Sequence, residues 1–305
     1  MVKSQPRARV RETMEDRITL GVFYVLLTLI ALMTIYPVLY VISASVSEPT
    51  AVNDGSVVLW PVGFQLEGYQ YIFENDWILL GYRNSLIYTV AGTLLDIAVT
   101  FLAAYALSRR DIFGRRALNT YMIIPMWFSG GLIPTFMMIN SMGLVDQWYT
   151  LIIIGAFNTY NFVICRTFIQ ANIPLELQEA ARIDGCSDLG IMAKVVLPLS
   201  KPVLAILCLY YGLAHWNDYF TGLIYINTRS LQPLQLFLRE ILIQNAQLEM
   251  GSGDMMALED SMRRVYMMQV MRYGLIVVSS VPMLILYPFV QKYFVQGVMI
   301  GALKG

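Results

Sequence analysis

Glu179-Ala180-Ala181-Arg182-Ile183-Asp184-Gly185, then nine residues, then Val195-Val196-Leu197-Pro198, is the stretch on which the reading of this chain turns. It is polar, rich in small residues, and set between two hydrophobic runs. Pro174 suits a helical first turn because its missing N–H costs nothing there. Leu175–Ile183 then reads as a short helix, and Gly185 ends it in a left-handed turn. Ser187 is placed to cap a second helix, Asp188–Val196. Pro198 and Pro202 separate this unit from the hydrophobic run that follows. Ala180 and Ala181 leave a shallow surface, and Glu179 offers one charge for pairing. Such a helix-turn-helix is a poor catalytic site and a good docking element. The plain alternative is an amphipathic re-entry helix.

Composition places the flanking runs in a bilayer. The chain is 57% hydrophobic and 14% charged, with mean hydropathy +0.58. Soluble domains carry roughly 25% charged residues. Net charge is zero, so nothing points to nucleic acid. Cys165, Cys186 and Cys208 read as small apolar fillers: an odd count argues against a disulfide framework, and no His stands at metal-ligand spacing.

Six segments approach the length of a spanning helix, about 20 residues: Ile18–Ile42, Leu86–Leu107, Leu118–Ile139, Trp148–Cys165, Val203–Ile226 and Tyr273–Val290. They are too long and continuous for barrel strands, so the predicted fold is an all-α polytopic bundle of six transmembrane helices. The first run has 25 residues without a charge. Signal-peptide cores are about 7–15, so it reads as a retained helix.

Loop charge sets the orientation. Arg109, Arg110, Arg115 and Arg116 follow the second span. Arg166, Arg182, Lys194 and Lys201 surround the Glu179 loop. No Lys or Arg occurs in 43–82 or 140–147. Both termini and both basic loops are therefore expected in the cytoplasm. The expected organisation is an N-terminal segment 1–17, a first helix with its external loop 18–80, a five-helix core 81–296 holding the coupling loop 174–202, and a tail 297–305. Leu234, Phe237, Leu238, Ile241 and Leu242 repeat at helical spacing and predict an amphipathic helix along the membrane surface.

The Glu179–Pro198 pattern resembles the E-A-A-x₃-G-x₉-I-x-L-P loop of ABC importer permeases, with Val195 in place of Ile. Phe128-Ser129-Gly130-Gly131-Leu132-Ile133-Pro134, His215-Trp216-Asn217-Asp218-Tyr219 and Tyr287-Pro288-Phe289-Val290-Gln291-Lys292-Tyr293-Phe294 extend the likeness over nearly the whole chain. The chain is similar to carbohydrate-importer permeases of the maltose type, second permease subunit, and to their polysaccharide and oligosaccharide subgroup. The resemblance implies a type I importer fold in a bacterial cell membrane. It implies a second, non-identical permease, an ATPase dimer inside that binds ATP and Mg, and an extracellular or periplasmic solute-binding protein. It assigns ATPase coupling to Glu179, Ala180, Ala181, Asp184, Gly185, Leu197 and Pro198. By the same likeness the tail, with Gly301, Leu303, Lys304 and Gly305, reaches between the ATPase subunits; the alternative is a frayed terminus.

No G-x-x-x-x-G-K-[ST] occurs, so the chain lacks a P-loop of its own, and G-x-S-x-G and H-E-x-x-H are also missing. The expected role is a transport subunit, not an enzyme, with no cofactor or metal in this chain. Sugar pathways need planar polar groups for hydroxyls and aromatic faces for C–H surfaces. Asn158, Tyr160, Asn161, Trp216, Asn217, Asp218 and Tyr219 supply both, although helix–helix hydrogen bonding would use the same residue types. Asp96 and His215 lie near the middles of their spans. They are either a functional pair or two groups satisfied separately. Pro125, Gly130, Gly131, Pro134, Pro282 and Pro288 interrupt spans, either as pathway breaks or as ordinary kinks. An ABC importer for amino acids, peptides or anions is the main alternative. An intramembrane protease lacks a matched Ser–His arrangement, and a channel would not associate with an ATPase.

Overall fold

The structure, a computed structural model, describes residues 13–250 and 258–302. Most of the N-terminal segment and Leu303, Lys304 and Gly305 lie outside those residues. Helix α1, Met14–Ser45, starts at a capping box: the Asp16 N–H donates to the Thr13 hydroxyl at 3.2 Å, and the Thr13 N–H donates to the Asp16 carboxylate at 3.0 Å. Apolar residues cover it all round, and only Ser43, Ala44 and Ser45 are buried. That is the pattern of a helix bathed in lipid. Tyr40 meets Tyr273 edge-on, with ring centroids 6.0 Å apart, and ties α1 to the last helix.

The first loop holds two short helices, α2 (Pro49–Asn53) and α3 (Glu67–Glu74). Helix α4, Asp76–Ser108, is the central rod, capped by Asn75, and it buries small and polar residues such as Gly81, Ser85, Gly92 and Thr93 as well as large ones such as Tyr88, Phe101 and Tyr105 at its crossings. Gly81 is one such crossing. The expected division near Gly81 falls inside α4, where a Cβ would lie 2.7 Å from the Phe237 ring.

The third and fourth expected spans are broken. Helix α5 (Arg115–Ile123) passes through a tight turn, Ile124–Met126, and the chain is unwound before α6 (Leu132–Ser141). Gly131 there takes φ +81°, which β-carbon-bearing residues rarely adopt. Helices α7 (Thr150–Ile153) and α8 (Thr159–Asn172) flank a second break. The coupling loop carries α9 (Leu175–Ile183), α10 (Asp188–Ile191), a wide turn Met192–Val196, and α11 (Leu197–Leu199). Helices α12 (Lys201–Asn217), α13 (Phe220–Tyr225), α14 (Leu234–Met250) and α15 (Leu258–Ala302) complete the described order.

Among the described residues three single helices are long and apolar enough to cross a membrane: α1, α4 and the Met271–Pro288 part of α15. A fourth arises if Asp188–Leu199 and α12, bent by 80°, count together. Six continuous spanning helices are therefore not seen among the described residues, because the third run is broken around Pro125, Gly130 and Gly131 and the fourth beside Gly155. Helix α14 is the expected amphipathic helix, and its apolar face meets protein: Leu234 and Leu238 are buried against Ile78, Trp216 and Leu275. The tail is helical as far as Ala302, through Gly297 and Gly301.

The main core joins α4, α8, α10 and α12 through Phe101, Ala104, Phe162, Ile169, Ile191, Val196 and Leu207. Ile191 and Val196 thereby anchor the second half of the coupling loop in the bundle.

Candidate functional site: a coupling turn and a polar cleft

The α9–α10 turn closes with paired backbone bonds. The Cys186 N–H donates to the Ala181 carbonyl at 2.9 Å and the Gly185 N–H to Arg182 at 3.1 Å, with Gly185 at φ +84°. This double bond is the Schellman arrangement and needs a residue tolerant of the left-handed region. The Ser187 hydroxyl then accepts from the Gly190 N–H at 3.2 Å and starts α10. Glu179, Ala180, Asp184, Gly185, Leu197 and Pro198 are exposed, and Ala181 is half-buried. Two side chains that motif reasoning passed over stand highest: Ile183 is 87% exposed and Leu189 70%. Their signal was apolar character at the tip of an otherwise polar loop.

The turn is latched to α4. Arg109, which follows α4 directly, places Nη1 2.7 Å from Asp188 Oδ1, and its Nε donates to Asp111 Oδ1 at 3.0 Å. Arg182 reaches Asp188 Oδ1 at 2.9 Å and Asp111 at 3.8 Å. Arg109 holds the Asp111 carboxyl down at about 2 and lowers that of Asp188, while Asp111 raises the Arg109 guanidinium in return.

The second feature is a cleft of about 670 Å³ between α8, α12 and the breaks beside them. It is lined by Asn158, Tyr160, Asn161, Asn217 and Asp218, and by Asp96, Tyr210, Tyr211, His215 and Thr221. His215 Nε2 lies 2.8 Å from Asp96 Oδ2, so the two residues bond to each other across α4 and α12. Gly92, one turn before Asp96, makes the contact possible: a Cβ there would lie 2.5 Å from the imidazole. Asp96 Oδ1 is buried with no hydrogen-bond partner among the described residues. Tyr211 shares a 2.6 Å bond with Thr100.

Several lining residues also have local duties. The Asn158 side-chain Oδ1 caps α8 by accepting from the Asn161 N–H at 3.1 Å. Asn217 donates to the Leu213 carbonyl at 2.9 Å, and Asp218 accepts from the Thr221 N–H at 3.0 Å. Each spends one polar atom on backbone and keeps others for the cleft.

Two sequence candidates stand elsewhere. Trp216 is 2% exposed, donates to the Ser279 carbonyl at 2.8 Å, and meets Tyr82 edge-on at 5.6 Å. It joins α12 to α15 because it projects about 100° around the helix from its neighbour His215. Tyr219 is exposed beside Phe220 and does not line the cleft. Tyr210 and Tyr211, not singled out from the sequence, take their place. Their signal was the spacing of aromatic residues one turn before His215. Among the described residues no group of three His, Cys, Asp or Glu side chains is placed to hold a metal.

Known proteins resemble this chain along its length. The permease protein YtcP of Bacillus subtilis (strain 168), named for polygalacturonan/rhamnogalacturonan transport, is 39% identical over 96% of this chain and all of its own. Protein LplC of the same organism is 39% identical over 89% of this chain and 90% of its own. A bacterial ABC transporter involved in import of the acidic polysaccharide alginate has a chain that superposes with TM-score 0.83. It is 33% identical, covering 92% of this chain and 98% of that one. A second alginate transporter chain, solved with a pentasaccharide-bound periplasmic protein, shares the fold at TM-score 0.61 and 15% identity. Residues 96–298, which hold both the coupling turn and the cleft, match the family model described as the inner membrane component of binding-protein-dependent transport systems, and the chain belongs to that family of ABC transporter permease subunits.

Proposed function

We propose that this chain is one of two non-identical permease subunits of an ATP-driven importer of oligosaccharides or polysaccharide fragments. The single observation that carries the coupling half of this reading is the α9–α10 turn: a rigid, glycine-closed projection crowned by exposed Ile183 and Leu189. Apolar side chains held out on a polar loop are expected to be covered by a partner. An ATPase subunit is that partner, docking on Glu179, Ala180, Ala181, Asp184, Gly185, Leu197 and Pro198. ATP and Mg belong to the ATPase. The latch through Arg109 would carry its movement into α4 and hence to Asp96.

The cleft supports a carbohydrate cargo. Tyr160 and Tyr210 offer exposed rings with centroids 6.5 Å apart, and amides and carboxylates stand beside them. The polysaccharides for which YtcP and the alginate transporter are named support the same cargo class. A solute-binding protein would deliver the sugar to the loops of 43–82 and 227–270. Both termini face the cytoplasm by the charge rule, in a bacterial cell membrane, and the tail from Gly301 onward extends toward the ATPase.

The test is uptake into proteoliposomes carrying the full importer with its binding protein. ATP-dependent accumulation of a labelled oligosaccharide, and none of amino acids or peptides, is expected. Uptake of an amino acid or peptide in preference to any oligosaccharide would overturn the sugar assignment.

A further inference from the structure

The charge of the cleft wall separates two kinds of sugar. Its titratable lining groups are Asp96, His215 and Asp218, together with the phenols of Tyr160, Tyr210 and Tyr211. No Lys or Arg stands among the described residues that line it. The one imidazole is taken up by Asp96 at 2.8 Å. Asp218 has a backbone N–H as its partner, that of Thr221 at 3.0 Å, and no cation is paired with it among the described residues. Asp96 adds a second, independent sign. Its side chain is 2% exposed, yet Oδ1 has no hydrogen-bond partner among the described residues, so an acceptor is held ready beside the cleft.

Acceptors in surplus, with no cation to balance them, suit a ligand that brings hydroxyl donors and no negative charge. A uronate unit would bring a carboxylate against Asp218 with nothing to pair it, and like charges at close range in a partly dry site repel. The exposed rings of Tyr160 and Tyr210 would stack on either sugar, because a uronate and its neutral counterpart share the same C–H face. Discrimination therefore falls to charge alone. Relatives of this chain are named for polygalacturonan and alginate, both acidic, so the wall points away from a simple transfer of their cargo.

We propose that this chain's wall of the pathway binds uncharged oligosaccharides and disfavours uronate-bearing ones, with Asp218 as the discriminating residue. The proposal rests on the sugar-importer reading.

The probes are a galacturonate pentasaccharide and its fully methyl-esterified form, which share length, linkage and ring shape and differ in charge. The reporter is Asn217→Cys in the full importer in nanodiscs, with Cys186→Ser and Cys208→Ser to silence half-buried thiols. Protection of the new thiol from a neutral alkylating reagent is measured against sugar concentration. The esterified form is expected to protect at concentrations about tenfold lower or better at low salt, a gap that narrows as salt screens the carboxylates. Asp218→Asn keeps a side-chain oxygen to accept from the Thr221 N–H and removes the charge. The gap should shrink in that variant. Equal or stronger protection by the acid form overturns the proposal while leaving the importer reading intact. Protection by neither form, in an importer that takes up an oligosaccharide, overturns it too, because the cleft is then not the sugar's site. An importer that takes up no oligosaccharide at all fails the uptake test above instead, so the two failures are distinguishable.

Discussion

At the coupling turn Arg182 and Asp188 form their ion pair with 55% and 60% of their side chains accessible, whereas in the cleft His215 and Asp96 pair with 8% and 2% accessible. The turn pair spans six residues and the cleft pair 119, and each is tied to α4, the first through Arg109, which shares Asp188 with Arg182, and the second through Asp96 itself. They differ in what surrounds them. Water can replace either partner at the turn, so the latch adjusts and is rebuilt as the loop moves. Nothing replaces a partner in the buried pair. Removing one member leaves the other desolvated and unpaired, which costs far more than the pair itself contributes. The turn is therefore suited to contact that is made and broken in a cycle, and the cleft pair to a fixed reference between α4 and α12.

The comparison is broken most severely at the buried pair. Asp96→Ala should lower stability by about 3–5 kcal/mol, seen as a large drop in melting temperature in detergent, while Asp96→Asn should lose less. An Asp96→Ala protein that melts like its parent would show that the pair does not hold the helices together. Next comes the core residue beside it. Trp216→Ala should cost about 3 kcal/mol or more, from lost packing and an unmet Ser279 carbonyl. Tyr219→Ala, on the open side, should stay within about 0.5 kcal/mol. Equal losses at the two would place Trp216 in the pathway after all.

At the turn the effects on stability are smaller and those on partnership larger. Gly185→Val forces a β-branched residue into φ +84°, about 1–2 kcal/mol of local strain. The protein should still insert but retain little ATPase on purification, and Glu179→Lys should act in the same direction. Normal retention in both would remove the turn from coupling. Arg109→Gln should change stability by under about 1 kcal/mol. The folded pKa values of Asp111 and Asp188 lie below the ordinary 3.8, so the latch is fully present above that value and is lost as pH falls toward about 2. Hydrogen exchange at the α9–α10 turn, corrected for intrinsic rates, should therefore be flat from pH 8 to 5 and rise only below about pH 4. A rise between pH 7 and 5 would mean that another group controls it.

The turn was legible in the sequence because its constraints are local. Pro174, Gly185 and Ser187 act on backbone within a few residues, and the bounds Leu175–Ile183 came out as read. The cleft was legible only in part. Composition singled out Asn158, Tyr160, Asn161, Asn217 and Asp218, but the direction of a side chain around α12 depends on which neighbour the helix meets. Trp216 turned to α15 and Tyr210 and Tyr211 faced the cleft for that reason. Whether Asp96 and His215 bond each other depends on a pairing 119 residues apart in sequence and on the glycine at 92 that lets the helices close. The break in the third span was signalled by Pro125, Gly130 and Gly131; the one in the fourth, beside Gly155, was not foreseen, and α15 runs on through Pro282 and Pro288, because tertiary packing decides which signals become breaks. Helix α14 has the pattern of a surface helix, and nothing in that pattern distinguishes lipid from the Leu275 side of α15.

Proximity of the turn to an ATPase is the central claim, and cross-linking measures it most directly. A photo-reactive residue at Ile183, the most exposed apolar side chain of the turn, should join the chain to the ATPase subunit in intact membranes. The same residue at Asn217, in the cleft, should not. A strong ATPase cross-link at Ile183 and none at Asn217 is the predicted result. An Ile183 probe that captures only lipid, in an importer that still hydrolyses ATP on demand, would contradict the account.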